Sequence, residues 1–221
     1  MTYAMNASDM DPSWIEQMWA KFPCQKIVDA NGVPNGNYRT GPVRGSFLHI
    51  FERAKPIAPN PTGKFTATAL FPPAADISVL KQAATETALG KWPNAGQVGG
   101  PTLHTPFRQQ ADKANIEGYT PGGVFVVGVA DQRQPYIVDE RGAPIVDRNE
   151  AQSGYWYLMV LRPFVFDSGL KKGVSFGING LMRIAKDKTF GGGGSNPASD
   201  FAGVAIDTSA AAASVNAASL F

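Results

Sequence analysis

Rings, small residues and positive charges gather in one stretch of this chain. Tyr155, Trp156, Tyr157, Phe164 and Phe166 crowd an aromatic run, and Lys171, Lys172, Ser175, Phe176, Gly177 and Asn179 follow directly. Aromatic faces stack on bases, small residues let a sugar-phosphate backbone come close, and cations pair with phosphates. The combination predicts a single-stranded nucleic-acid surface rather than a catalytic pocket. Alternation along the aromatic run puts Tyr155, Tyr157, Met159 and Leu161 on one face and Trp156, Leu158, Val160, Phe164 and Phe166 on the other. One set must fill a core while the other could receive bases, and the sequence leaves open which. On the following run Val174, Phe176 and Ile178 read as core, whereas Ser175, Gly177, Asn179 and Arg183 read as a small, polar, exposed face.

Other chemistries lack their residues. One cysteine, Cys24, and two distant histidines, His49 and His104, do not supply metal-ligand spacing. No Gly-x-Ser-x-Gly elbow occurs, and the glycines 191–194 lead into Ser195-Asn196-Pro197 without the lysine of a phosphate-binding loop. Asp139, Glu140 and Asp147 are close enough in sequence to suggest a magnesium site, but a solvated turn accounts for them. The expectation is a protein with no enzymatic activity and no cofactor.

The formal net charge is only +2, but its distribution is uneven. From Arg39 to Lys64, five bases (Arg39, Arg44, Arg53, Lys55, Lys64) face Glu52 alone. From Arg162 to Lys188, six (Arg162, Lys171, Lys172, Arg183, Lys186, Lys188) face Asp167 and Asp187. Clustering of this kind concentrates positive potential and attracts a polyanion. No apolar run approaches the roughly 18 residues that span a bilayer, so no membrane partner is expected. A lone cysteine and the lack of a basic-then-apolar leader predict a reducing, cytoplasmic setting.

The elements that must position these residues are mainly strands. Short runs rich in Val, Ile, Phe, Thr and Tyr are separated by 24 Gly and 17 Pro, the punctuation of a barrel or sandwich. Strands are expected over Ser46–Glu52, Lys64–Phe71, Gly123–Ala130, Tyr155–Phe166 and Val174–Ala185, with a hairpin joining Tyr136–Val138 to Ile145–Val146. Asp11-Pro12 opens a short helix with Trp14, Ile15, Met18, Trp19 and Phe22 on its apolar stripe. Asp76–Leu89 is the main helix, striped by Ile77, Leu80, Ala84 and Ala88 and stopped by Gly90. Residues 31–45 and 91–110 read as irregular loops, and the Gly-, Ala- and Ser-rich end from residue 190 reads as a flexible tail.

In this setting several motifs occur in order. They are Lys64-Phe65 through Leu70-Phe71-Pro72 to Asp76, Thr105-Pro106-Phe107-Arg108 with Asp112, and Gly123-x-Phe125 leading to Arg133, Pro135, Val138 and Asp139. Ser153-Gly154-Tyr155, the specific run Lys172-Gly173-Val174-Ser175-Phe176-Gly177-Ile178-Asn179, and Ser199-Asp200-Phe201 complete the series. Together they resemble the single-stranded DNA-binding proteins of tailed bacteriophages, an oligonucleotide/oligosaccharide-binding (OB) fold family. The resemblance implies an OB-fold-like Greek-key β-barrel that coats single-stranded DNA, independently of sequence, during phage replication, recombination and repair. It divides the chain into a helix-and-loop extension (1–44), the DNA-binding domain (45–189) and the tail (190–221).

By motif match, Lys64, Arg108, Arg133, Tyr155, Lys172 and Phe176 are candidates for the DNA groove or its support. Charge and alternation add Tyr157, Arg162, Lys171 and Arg183. Relatives commonly end in a strongly acidic tail with a terminal aromatic that recruits replication enzymes. Here Phe221 is present but Asp200 and Asp207 are the only acids after Asp187, so self-inhibition by the tail should be weak. Recruitment of phage replication or recombination proteins through Leu220-Phe221 is an expectation. The alternative reading is a β-rich virion structural or interaction protein without nucleic-acid affinity.

Overall fold

The computed structural model describes residues 10–56, 62–169 and 171–191. Asp11 caps the first helix by accepting from the Ser13 backbone N–H at 2.7 Å, and Pro12 opens α1 (Pro12–Lys21) with its φ already set. Its tryptophans face the body: Trp14 meets Trp156 edge-on with centroids 5.6 Å apart, and Trp19 tilts against Phe71. The second helix, α2 (Ser78–Lys91), buries Leu80, Ala83, Ala84 and Ala88. Gly90 does not stop it. One interior glycine costs only about 1 kcal/mol, whereas Pro93 disfavours helical backbone at Trp92, where the cap falls.

Nine strands form one sheet among the described residues. They are β1 (Gln25–Val28), β2 (Pro34–Arg39), β3 (Val43–His49), β4 (Phe65–Phe71), β5 (Arg108–Gln109), β6 (Val124–Ala130), β7 (Tyr136–Val138), β8 (Trp156–Asp167) and β9 (Lys172–Ala185). Five of them pair in a circuit that returns to its start: β3 with β4, β4 with β6, β6 with β9, β9 with β8, and β8 with β3. The pairing thus closes on itself, with β6–β9 as its parallel pair. All these elements belong to the compact unit that ends at Phe190. The tail expectation falls, from residue 192, outside the described residues.

Several local expectations change. The stretch 31–45 is not an irregular loop: Asp29 closes a turn by accepting from the N–H groups of Asn31 and Val33, and β2 then pairs β8. β3 starts at Val43 rather than Ser46 and carries a bulge, since Ser46 pairs Thr68 while His49 pairs Thr66. The expected second hairpin strand at Ile145–Val146 is absent. Asp139 does close the turn, accepting from Arg141 and Ala143, and Ile145 bonds back to Ile137. Pro144 offers no further donor, however, and Val146 is 85% exposed.

The core is built from the inward residues of the circuit and from α2. Ala67, Ala69, Phe71, Val126, Tyr157, Met159, Leu161, Val174, Phe176, Ile178 and Leu181 fill it. Two bulges shift the β8–β9 register, one of them leaving Asn179 as the extra residue between the pairs Leu161–Ile178 and Val160–Gly180. An extra residue reverses which face alternate positions occupy. Val174, Phe176 and Ile178 therefore face inward before the bulge, and Leu181 and Arg183 after it.

Candidate nucleic-acid interface

The outward side of the circuit is a shallow face shared by four neighbouring strands. Register places Thr66 on β4 beside Val129 on β6, Val129 beside Gly177 on β9, and Gly177 beside Arg162 on β8. One step along, Ser175 lies opposite Phe164, while Thr68, opposite Val127, is already buried where the Leu70–Tyr119–Phe125 cluster covers the sheet. The middle of this face is small. A Cβ on Gly177 would meet nothing nearer than the carbonyl oxygens of Arg162 and Val129, at 3.6 and 3.7 Å. The fold does not demand glycine there, and glycine without a packing reason inside a strand marks a place where another backbone can approach.

Cations and rings frame the small centre. A cleft of about 300 Å³ opens beside it, with Arg108, Lys171, His104, Phe166, Val127 and Ser175 in its wall. His104 bridges to Gly173 while Arg108 pairs with Phe125, so the 104–109 segment fills the gap where β6 and β9 diverge. The His104 ring lies 6.5 Å from that of Phe166. Farther along the same face the guanidinium of Arg108 lies 5.9 Å from the Phe125 ring. The ammonium of Lys113 stands 5.2, 5.8 and 5.5 Å from the rings of Phe125, Tyr119 and Phe47. Among the described residues no carboxylate pairs with Arg108, Lys113, Arg162 or Lys171. Their charge is therefore available to a polyanion, and Arg108 and Lys113 also lie over aromatic rings.

The family described as Enterobacter phage Enc34, ssDNA-binding protein, matches residues 37–212. The chain belongs to this Enc34 family. Three solved structures share its fold. The single-stranded DNA-binding protein from bacteriophage Enc34 is 16% identical with a TM-score of 0.55, covering 81% of this chain and 98% of its own. The same phage protein in complex with ssDNA is 16% identical at TM-score 0.59, covering 77% and 99%. The single-stranded DNA-binding protein gp2.5 of bacteriophage T7 is 13% identical at TM-score 0.50, covering 77% and 97%. None of the curated proteins compared matches the chain in sequence.

The structure separates the ten site residues expected in this Enc34-family chain. Arg108, Arg162 and Lys171 lie exposed on the face or its cleft, and Arg133 is exposed on the connection after β6. Lys172, at the start of β9, sits 3.9 Å from Asp167, and Lys64, just before β4, pairs with Asp131 at 2.9 Å. Both pairs are solvent-exposed, so they are weak and leave the cations exchangeable. Tyr155 is half-buried against the core at the entry to β8.

Three expected residues are not on the surface. Tyr157 is fully buried, its hydroxyl donating to the Gln152 carbonyl at 2.8 Å, and burial pushes its phenol well above the usual range. It cannot stack on a base. Phe176 is likewise fully buried, edge-on to Phe107 at 5.9 Å, so it supports the segment that carries Arg108 rather than touching solvent. The bulge at Asn179 turns Arg183 away from Ser175 and Gly177. It donates to Glu150, through both the carboxylate and the backbone carbonyl, and lies 3.3 Å from Glu140. The carboxyl of Glu150 is held low by Lys186 first and Arg183 second.

Charge counting also overvalued Arg44. It is buried, donates to the carbonyls of Gly154 and Lys188 at 2.8 and 2.7 Å, and lies 3.5 Å from Asp187, which accepts from Trp156 Nε1. It is scaffold for the start of β8. Nothing in the sequence singles out Phe47, Lys113 or His104 as belonging to this face. Lys113 sits in a short 3₁₀ turn (Gln110–Lys113) with no periodicity to mark it.

Proposed function

We propose that this protein binds single-stranded DNA along the outward face of β4, β6, β9 and β8, without sequence preference and without enzymatic chemistry. The observation that carries the reading is the small centre at Gly177 framed by cations that pair with no carboxylate among the described residues. Phosphates would be met by Arg108, Lys171 and Arg162, with Lys64, Arg133 and Lys172 at the margins. Bases would lie against Phe164 and Phe166, since single-strand binders pair a basic groove with aromatic stacking. Membership in a family whose description is an ssDNA-binding protein supports it, as does the fold shared with a phage protein solved in complex with ssDNA. The same reading gives the protein its role in phage replication, recombination and repair in the host cytoplasm. It also lets the terminal Leu220-Phe221 contact replication proteins.

The test is a titration of fluorescein-labelled dT oligomers at several salt concentrations, with duplex DNA and RNA as competitors. The expected result is tight binding that weakens with salt, because each neutralised phosphate releases counterion, and that duplex competes for poorly. No binding at low salt would sink the reading and leave a virion interaction protein. Deleting residues 202–221 tests the tail. Loss of binding to the phage polymerase is expected, and an unchanged interaction would remove the recruitment role.

A further inference from the structure

Phe47 is the only non-glycine residue with positive φ among the described residues, at +47°. It occupies the bulge of β3, where one strand carries an extra residue against the other. In this left-handed region the β-carbon crowds the backbone, and glycine ordinarily fills such a bulge position. A bulky aromatic held there is a departure that asks for a reason. Packing does not provide one. Phe47 belongs neither to the main core nor to the small Leu70–Tyr119–Phe125 cluster, and it is 46% exposed, while its neighbour Leu48 packs against the core.

What surrounds the ring is positive charge on a fixed mount. The ammonium of Lys113 lies 5.5 Å from the Phe47 centroid. The turn that carries Lys113 is anchored by Gln110, whose buried side chain donates to the carbonyls of Phe71 and Val124 at 2.8 and 2.9 Å and accepts from the Thr120 N–H at 2.8 Å. The same ammonium shares the Phe125 ring with Arg108, which reaches into the cleft beside β9. Phe47 therefore ends a line of cations and rings that begins at the proposed DNA face. We propose that Phe47 is a base-stacking platform at the β3 end of the interface, with Lys113 holding the phosphate of the stacked nucleotide. The inference rests on the single-stranded DNA reading above. It adds a contact on a strand outside the four-strand face.

The experiment compares Phe47→Gly, Phe47→Leu and Phe47→Trp with the natural chain, using a dT oligomer and an abasic oligomer with the same number of phosphates. Phe47→Gly removes both ring and strain, so it should keep or raise the unfolding temperature while weakening dT binding by about 5- to 150-fold, the range of one lost stack. The salt slope should not change, because no charge is lost. Phe47→Leu should lose the same affinity and Phe47→Trp should keep it. On the abasic oligomer all four chains should bind alike. The inference is overturned if Phe47→Gly and Phe47→Leu bind dT as the natural chain does. It is equally overturned if Phe47→Gly lowers the unfolding temperature by several degrees, which would make the ring a packing element. A natural chain that binds no single strand removes the broader reading and this one together, whereas normal, salt-sensitive binding that ignores Phe47 removes only this one.

Discussion

Two ends of β9 carry arginine or lysine in a similar sequence setting and use it in opposite ways. At its start, Lys171 and the neighbouring Arg108, and midway along it Arg162 opposite Gly177, stand without carboxylate partners among the described residues, while Lys172 has only an exposed pair with Asp167. Near its end, Arg183 and Lys186 converge on Glu150, with Glu140 close by. The first group can meet phosphates. The second ties the 140–150 segment to the sheet. What separates them is the bulge at Asn179, which swaps inward and outward positions along one strand. A count of charges along the chain treats both groups as one basic patch, and only pairing distinguishes binding charge from structural charge.

Substitutions that break this contrast should differ most in stability. Tyr157→Ala empties a filled core position and should cost about 3–5 kcal/mol, whereas Phe164→Ala, on the open face, should stay within about 0.5 kcal/mol of the natural chain. Chemical denaturation measures both. Arg183→Ala strips Glu140 and Glu150 of a charged donor and should cost about 1–3 kcal/mol while leaving the salt dependence of DNA binding as it was. A lower salt slope in that variant would put Arg183 back on the interface.

Two glycines of β9 sharpen the comparison further. Gly177→Leu should fold normally yet weaken single-strand binding by about tenfold, or ~1.4 kcal/mol, because its side chain would project where the nucleic acid comes close. Gly173→Ala drives a Cβ to 2.3 Å from the His104 backbone carbonyl oxygen, so it should lower stability by displacing the 104–109 segment. The smallest effect concerns the scaffold alone. Burial pushes the Cys24 thiol from 9.0 up to about 11. Below pH 9 the thiol is protonated in both folded and unfolded chains, and its contribution is complete. As pH rises from 9 toward 11 the unfolded chain loses the proton first, so stability declines. Cys24→Ala should flatten that decline in denaturation series at pH 8–10.5.

Much of the fold was legible because alternation is a direct consequence of strand geometry. The inward residues of β4, of β8 through Leu161 and of β9 through Ile178 follow it, and α1 is announced by Asp11-Pro12. Legibility stops at irregularities that add one residue. Neither the bulge at Phe47 nor that at Asn179 has a local signature, and each reverses a face. Pairing across distance is equally silent: Glu150 and Glu140 neutralise Arg183 from 33 and 43 residues away, and Arg44 reaches carbonyls 110 and 144 residues on. The site was therefore readable as a kind of chemistry and a strand pair. It was not readable as a set of exposed side chains.

The measurement that tests the division of charge most directly is the slope of log affinity for a dT oligomer against log salt, in the natural chain and in Arg108→Ala/Lys171→Ala. Single-stranded DNA gives about 0.7 of slope per neutralised phosphate, so losing two contacts should flatten the slope by roughly 1.4, with the unfolding temperature unchanged. A slope that stays the same in that double variant would contradict the account.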